Sequence, residues 1–137
     1  MRILAIDHGT KRMGIAVSDE LGMLAQPVGF LAAEPFEEFL EELKTLLAER
    51  EVELILVGMP RNMDGSYGPQ ALKVQDFVAV LKRAVSQPVK TWDERLTTVQ
   101  AVGKLRASGK KAKQQKEKVD AAAAAVLLQG YLDSFAG

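Results

Sequence analysis

Apolar residues recur along this chain in two rhythms, and the change from one to the other marks out its elements. Ile3-Leu4-Ala5-Ile6 and Ile15-Ala16-Val17 are short unbroken apolar runs bounded by glycine and polar residues, the pattern of buried strands. Gly9 and Gly14 lie between or beside them and would keep the turn tight, because glycine tolerates backbone angles that other residues avoid. Met23 to Ala32 reads as a third, weaker strand, and Pro27 within it points to an edge position or an irregularity. Glu34-Pro35 opens a helix, since proline suits the first helical turn. Phe36, Phe39, Leu40, Leu43, Leu46 and Leu47 then recur at three- and four-residue spacing, with the glutamates on the opposite, solvated face. Leu54-Ile55-Leu56-Val57, closed by Gly58, is a run expected of a strand buried on both sides.

A polar loop, GMPRNMDGSYGP, leads to a helix from about Pro69 whose stripe is Leu72, Val74, Phe77, Val78, Leu81 and Val85. Pro88 to Trp92 makes a last short strand, and Thr97-Thr98-Val99-Gln100 has the spacing of a capping box, which starts a third helix running to Arg106. Ser108 to Gln115 has no apolar periodicity and reads as a loop. A final helix from Lys116 to Ser134 turns Val119, Ala123, Val126, Leu127 and Tyr131 inward, its alanines 121–125 allowing close packing on a sheet. The order β-β-β-α-β-α-β-α-α predicts an α/β fold: a mixed five-stranded sheet, three antiparallel strands followed by alternating helices and strands, with helices on both faces.

Length changes this picture little: 137 residues fit one domain spanning 1–137. The chain has no cysteine, which excludes disulfides, thiolate zinc sites and cysteine nucleophiles. No secretory signal is visible and no apolar run approaches the ~20 residues that span a bilayer, so a cytoplasmic protein without a membrane partner is expected. Charge is neutral in total but segregated. Glu34 to Glu53 holds eight acids against two bases, and Lys104 to Lys118 holds seven bases against one acid, enough to give local fields that the zero total conceals.

Candidate chemistry emerges by elimination. His8 is the only histidine, so a nucleophilic triad is disfavoured and His8 reads as structural or surface. Carboxylates at element ends remain. Asp7 closes the first strand, Asp93 and Glu94 close the last, and Asp120 lies near the start of the final helix. Asp93 and Glu94 point to opposite faces, so only one enters a given site. Ligand sites in open α/β sheets gather at the carboxyl ends of parallel strands. Three carboxylates there would repel one another unless a hard, oxygen-ligated cation such as magnesium or manganese joined them. The plainer alternative has Asp120 favouring a helix N-terminus and Glu94 pairing with Arg95 or Arg12, and composition and spacing leave both open.

Four pieces in fixed order resolve the choice by resemblance: Asp7-x-Gly9-x-x-Arg12-x-Gly14, VGMPRNMDGSYG from Val57, DERLTT from Asp93, and VDAAAAAVLLQ from Val119. Together they closely resemble the YqgF family, described both as Holliday junction resolvases and as pre-16S rRNA nucleases, over essentially the whole chain. The resemblance implies an RNase H-like fold and a Mg2+- or Mn2+-dependent nuclease whose acidic site matches Asp7, Glu94 and Asp120. It also implies a nucleic-acid partner, precursor rRNA ahead of branched DNA, in ribosome biogenesis. Departures are small: Met13 and Met59 replace the commoner isoleucine and leucine, and the loop before Asp120 is rich in lysine and glutamine.

Supporting roles follow as expectations. Arg12 and Arg61 would offer paired donors to phosphate oxygens, and Asn62 a further hydrogen bond. The loop from Gly58 to Gly68 either binds an anion through its backbone N–H groups or is a plain turn. Lys110, Lys111 and Lys113 either close over a nucleic-acid backbone or are solvated. Trp92 reads as core rather than a base-stacking platform. Resolution of DNA four-way junctions and non-catalytic RNA binding are the competing functions, and the state is monomer or homodimer. An ATPase of the actin and sugar-kinase type needs a second lobe for which the chain is too short.

Overall fold

The computed structural model describes residues 1–61, 64–93 and 112–135, with side chains from 121 onward in the last segment. Strand β1 (Ile3–Asp7) and β2 (Arg12–Ser18) form the first hairpin, and β3 (Ala25–Ala32) completes an antiparallel meander. Helix α1 (Phe36–Glu49), β4 (Leu54–Met59), α2 (Pro69–Ala84), β5 (Val89–Asp93) and α3 (Ala112–Asp133) follow. The described strands make one sheet in the order β3-β2-β1-β4-β5, with β4 parallel to both β1 and β5. The mixed sheet expected from the sequence is therefore present, and β1 and β4 lie inside it.

Two cores sit on opposite faces, and side-chain alternation along each strand decides which residue enters which. On one face Leu4, Ile6, Met13, Ile15, Ile55 and Val57 pack against Phe39 and Leu43 of α1 and against Val74 and Leu81 of α2. On the other, Ile3, Ala5, Ala16, Leu54 and Leu56 pack against Ala124, Leu127, Leu128 and Tyr131 of α3. Ala121, Ala123 and Ala124 are buried, so the alanine run does bring the helix close to the sheet. The glutamate face of α1 is solvated: Glu37, Glu38, Glu41, Glu42 and Glu49 are all exposed. Trp92 meets Tyr131 edge to face, ring centroids 5.2 Å apart, as a core residue should.

Edge strand β3 carries Pro27 where the ladder tolerates a missing donor. The pairing slips there, Ile15 facing Gly29 and Ala16 facing Pro27, which is the irregularity the proline suggested. The strand begins at Ala25 rather than Met23, because the preceding turn is held by Asp19. Its carboxylate accepts hydrogen bonds from Met23 N (2.7 Å) and Leu24 N (3.3 Å), and these backbone donors, Met23 first, hold the Asp19 carboxyl below its ordinary value. Gln129 of α3 fastens the same corner: its Oε1 accepts from Ala25 N at 2.9 Å and its Nε2 donates to Met23 O at 3.0 Å.

Three expectations are corrected. Leu72 is 61% exposed, and Ala71 takes its place on the buried stripe with Val74, Val78 and Leu81; the 71-74-78-81 spacing keeps one helix face. The final helix begins at Ala112, so 112–115 are not loop. Alanine, lysine and glutamine are strong helix formers even where no apolar stripe marks them. Gly14 lies within β2, opposite Asp7, and not in the turn. The helix expected over 97–106 lies outside the described residues.

Leu127→Ala should cost about 2–5 kcal/mol of unfolding free energy, since Leu127 is fully buried. Leu72→Ala should change stability by less than about 0.5 kcal/mol, both read by urea denaturation.

Candidate active site

Strand β1 is buried at every position from Ile3 to Ile6, and Asp7 is the first residue with access to solvent. Alternation puts Asp7 on the same face as Ile3 and Ala5, the face covered by α3. On that face the neighbouring strands place glycines beside it. Asp7 pairs with Gly14 of β2, and on β4 the position following Val57, the partner of Ile6, is Gly58. Leu54 and Leu56 belong to the α3 core and Val57 to the other, so Gly58 also falls on the face of Asp7. A half-buried carboxylate thus stands between two positions without side chains. Gly58 was not singled out from the sequence for this purpose. The signal is the alternation of Leu54-x-Leu56-x-Gly58 beside Ile3-x-Ala5-x-Asp7.

The turn that returns from Asp7 depends on Gly9 for space rather than for a left-handed backbone. A Cβ at Gly9 would lie 2.1 Å from the backbone oxygen of Arg12, a clash with main chain. Arg12 is on the face of Gly14 and Ala16, hence of Asp7, and its guanidinium lies over the Phe30 ring, 5.2 Å from the centroid. The structure therefore brings Asp7 and Arg12 to one side of the sheet at its carboxyl end.

Arg61 is placed differently. Its Nε donates to Gly65 O at 2.9 Å, its guanidinium covers Tyr67 at 4.7 Å, and its Nη1 lies 3.6 Å from an Asp93 carboxylate oxygen. Ser66 N and Oγ donate to Asp64 Oδ1 at 2.9 and 2.6 Å, and Arg61 ties this self-bonded turn to the end of β5. Asp93 is the carboxylate of the Asp93-Glu94 pair that this tie engages. Glu94, Asn62, Lys110 and Lys111 lie outside the described residues. Asp120 and Lys113 lie in the described backbone of α3, without described side chains. Among the described residues no three acidic or imidazole side chains gather as a metal cluster.

His8 turns to the opposite face. Its ring contacts Phe77 at 5.0 Å, and its Nδ1 is buried without a hydrogen-bond partner. Burial pushes the imidazole below its ordinary value, and the nearby positive charge of Lys73 lowers it further.

The mixed five-stranded sheet in the order β3-β2-β1-β4-β5, an antiparallel meander followed by two parallel strands with helices on both faces, is the RNase H-like arrangement of α/β proteins. Solved structures share that architecture across the chain. Thermus thermophilus RuvC in complex with a Holliday junction substrate aligns over 100% of this chain and 97% of its own, with TM-score 0.57 and 19% identity. The fowlpox virus resolvase with junction DNA aligns over 100% of both, with TM-score 0.60 and 12% identity. The model of one family, RuvX: Holliday junction resolvase, matches residues 1–134. A Halothermothrix orenii protein named "Putative pre-16S rRNA nuclease" is 47% identical over 97% of this chain and 95% of its own length. One of the same name from Clostridium acetobutylicum is 45% identical over 98% and 99%. The chain belongs to the RuvX family, the YqgF nucleases that its motifs resemble.

Gly9→Ala should destabilise the fold by about 1–3 kcal/mol as the β1–β2 turn shifts to admit the methyl group, measured by urea or thermal unfolding against wild type.

Proposed function

We propose that the carboxyl end of β1 is the centre of a divalent-metal nuclease acting on precursor 16S rRNA in the bacterial cytoplasm, with Asp7, Glu94 and Asp120 as metal ligands. One observation carries the reading: Asp7 ends a strand sealed on both faces and stands, half-buried, between the glycines Gly14 and Gly58. The donor set fits Mg2+ or Mn2+, which take hard oxygen ligands, keep several waters and need space for them. Asp120 lies four and eight residues before Ala124 and Leu128 of α3, both buried against the sheet that carries Asp7. Arg61 engages Asp93, which leaves Glu94 as the carboxylate of its pair for the centre. Bound there, the cation would activate water and stabilise the leaving oxygen of a phosphodiester.

The chain's own residues supply the rest. Arg12, on the side of Asp7, binds a phosphate of the substrate strand with paired donors. The glycine positions let the sugar–phosphate backbone approach the sheet. Arg61 ties Gly65 to Asp93 at the end of β5 and, with Asn62, Lys110, Lys111 and Lys113, would contact the nucleic acid. RNA is favoured because relatives named for pre-16S rRNA are above 40% identical over almost the full chain, whereas the junction-DNA enzymes share below 20%. Branched DNA is the second substrate to test, because the family model carries the resolvase description. Such an enzyme acts as a monomer or as a homodimer.

Incubation of the purified protein with Mg2+ or Mn2+ and a 16S precursor transcript should give metal-dependent cleavage that Asp7→Asn abolishes without loss of fold. Cleavage retained in Asp7→Asn overturns the assignment. Arg12→Gln should weaken RNA binding and reduce the slope of log affinity against log salt by about 1.

A further inference from the structure

We propose that Phe30 on edge strand β3, with the Arg12 guanidinium over its ring, is a stacking platform for an unpaired base of the substrate strand. The inference rests on the nuclease reading above and adds to it that the substrate is single-stranded beside the scissile phosphate. Strand register places the platform. Asp7 pairs with Gly14, and Gly14 pairs with Phe30. Directly opposed residues of a ladder share a face, so Phe30, Gly14 and Asp7 form one row across β3, β2 and β1. Neighbouring strands lie about 4.8 Å apart, which sets the backbone of Phe30 about 10 Å from that of Asp7. That is the span of one nucleotide from phosphate to base, and the residue between them is a glycine.

Burial does not account for Phe30. On the other side of Asp7 the row passes Gly58, which pairs with Trp92. Trp92 belongs to the core, its ring meeting Tyr131 edge to face at 5.2 Å. Leu31, one step along β3 from Phe30, turns to the core under α1 and α2. Phe30 is 37% exposed, and β3 is the outer strand of the sheet, so a base can approach the ring from beyond the edge.

Arg12 fixes the ring and extends the surface. Its guanidinium lies over Phe30, 5.2 Å from the centroid, a cation–π contact. Aromatic rings and guanidinium planes are surfaces on which proteins stack unpaired bases. Every base has a π face, so such a platform holds a strand without selecting its sequence. Bases inside a duplex are already stacked on their neighbours and do not reach it.

Binding of a short single-stranded RNA, with chelator in place of metal, tests the platform. Phe30→Leu, which keeps an apolar side chain and removes the ring, should weaken binding by about 5- to 150-fold, the loss expected from one stacked base. The slope of log affinity against log salt should not change, since no charge is removed. Phe30→Trp should bind at least as well as wild type, and a fully paired RNA duplex should bind all three proteins alike. With 5-iodouridine throughout the single strand, irradiation of the wild-type complex should cross-link Phe30, mapped by peptide mass spectrometry. Circular dichroism verifies that each variant folds, and the cross-link needs no variant. Undiminished single-strand affinity in Phe30→Leu, an equal loss for the duplex, or no cross-link at Phe30 would overturn the proposal. Cleavage is measured separately with metal, so Asp7-dependent cleavage without a Phe30 effect sinks the platform alone. A Phe30 effect beside cleavage that survives Asp7→Asn sinks the nuclease centre alone.

Discussion

The parallel pairing of β1 with β4 in the middle of the sheet sets the terms for everything at the site. Each strand is covered by a helical layer on both faces, and Leu4, Ala5, Ile6, Ile55, Leu56 and Val57 are sealed completely. An ionised carboxylate among them would lose its hydration with nothing to replace it. The first acidic residue must therefore come where the strand emerges, and Asp7 does. Its register neighbours are then decided by pairing: Gly14 on one side and, one step beyond Val57, Gly58 on the other.

The same alternation gives two neighbouring residues different surroundings. Asp7 and Arg12 lie on the side of α3, with the glycines Gly14 and Gly58 beside Asp7. His8 lies on the side of α1 and α2, where aromatic rings enclose a cavity and its Nδ1 is left unpaired. Gly9 holds the two sides together, because its missing side chain lets the chain close back onto Arg12. Arg61 reaches the end of β5 through Asp93, just before Glu94 in the chain.

Much of this is legible in the sequence, where a single local pattern decides the outcome. The buried runs at Ile3 and Leu54, the amphipathic α1 and the edge-marking Pro27 all speak for themselves, and the position of Asp7 at the end of a buried strand is read directly from the run before it. What stays hidden depends on two segments at once. Gly14 looks like a turn residue until β1 and β2 are placed in register. Ala71 is displaced by the larger Leu72 when hydrophobicity alone is weighed, although helical spacing favours the alanine. Residues 112–115 carry helix propensity without an apolar stripe, so periodicity overlooks them. The contacts that Arg61 makes with Asp93, Tyr67 and the Gly65 carbonyl likewise join separate segments, and no local pattern announces them.

The proposed centre requires that three carboxylates from separate elements, Asp7, Glu94 and Asp120, form one divalent-metal site. Titration of Mn2+ into the folded protein, followed by electron paramagnetic resonance, tests it most directly. Wild type should bind the ion saturably, with Mg2+ competing for the same site. Asp7→Asn, Glu94→Gln and Asp120→Asn should each weaken binding at least about tenfold, since each removes a direct ligand where loss of mere supporting partners already costs about 10–100-fold. Undiminished Mn2+ affinity in any of the three would contradict the shared site.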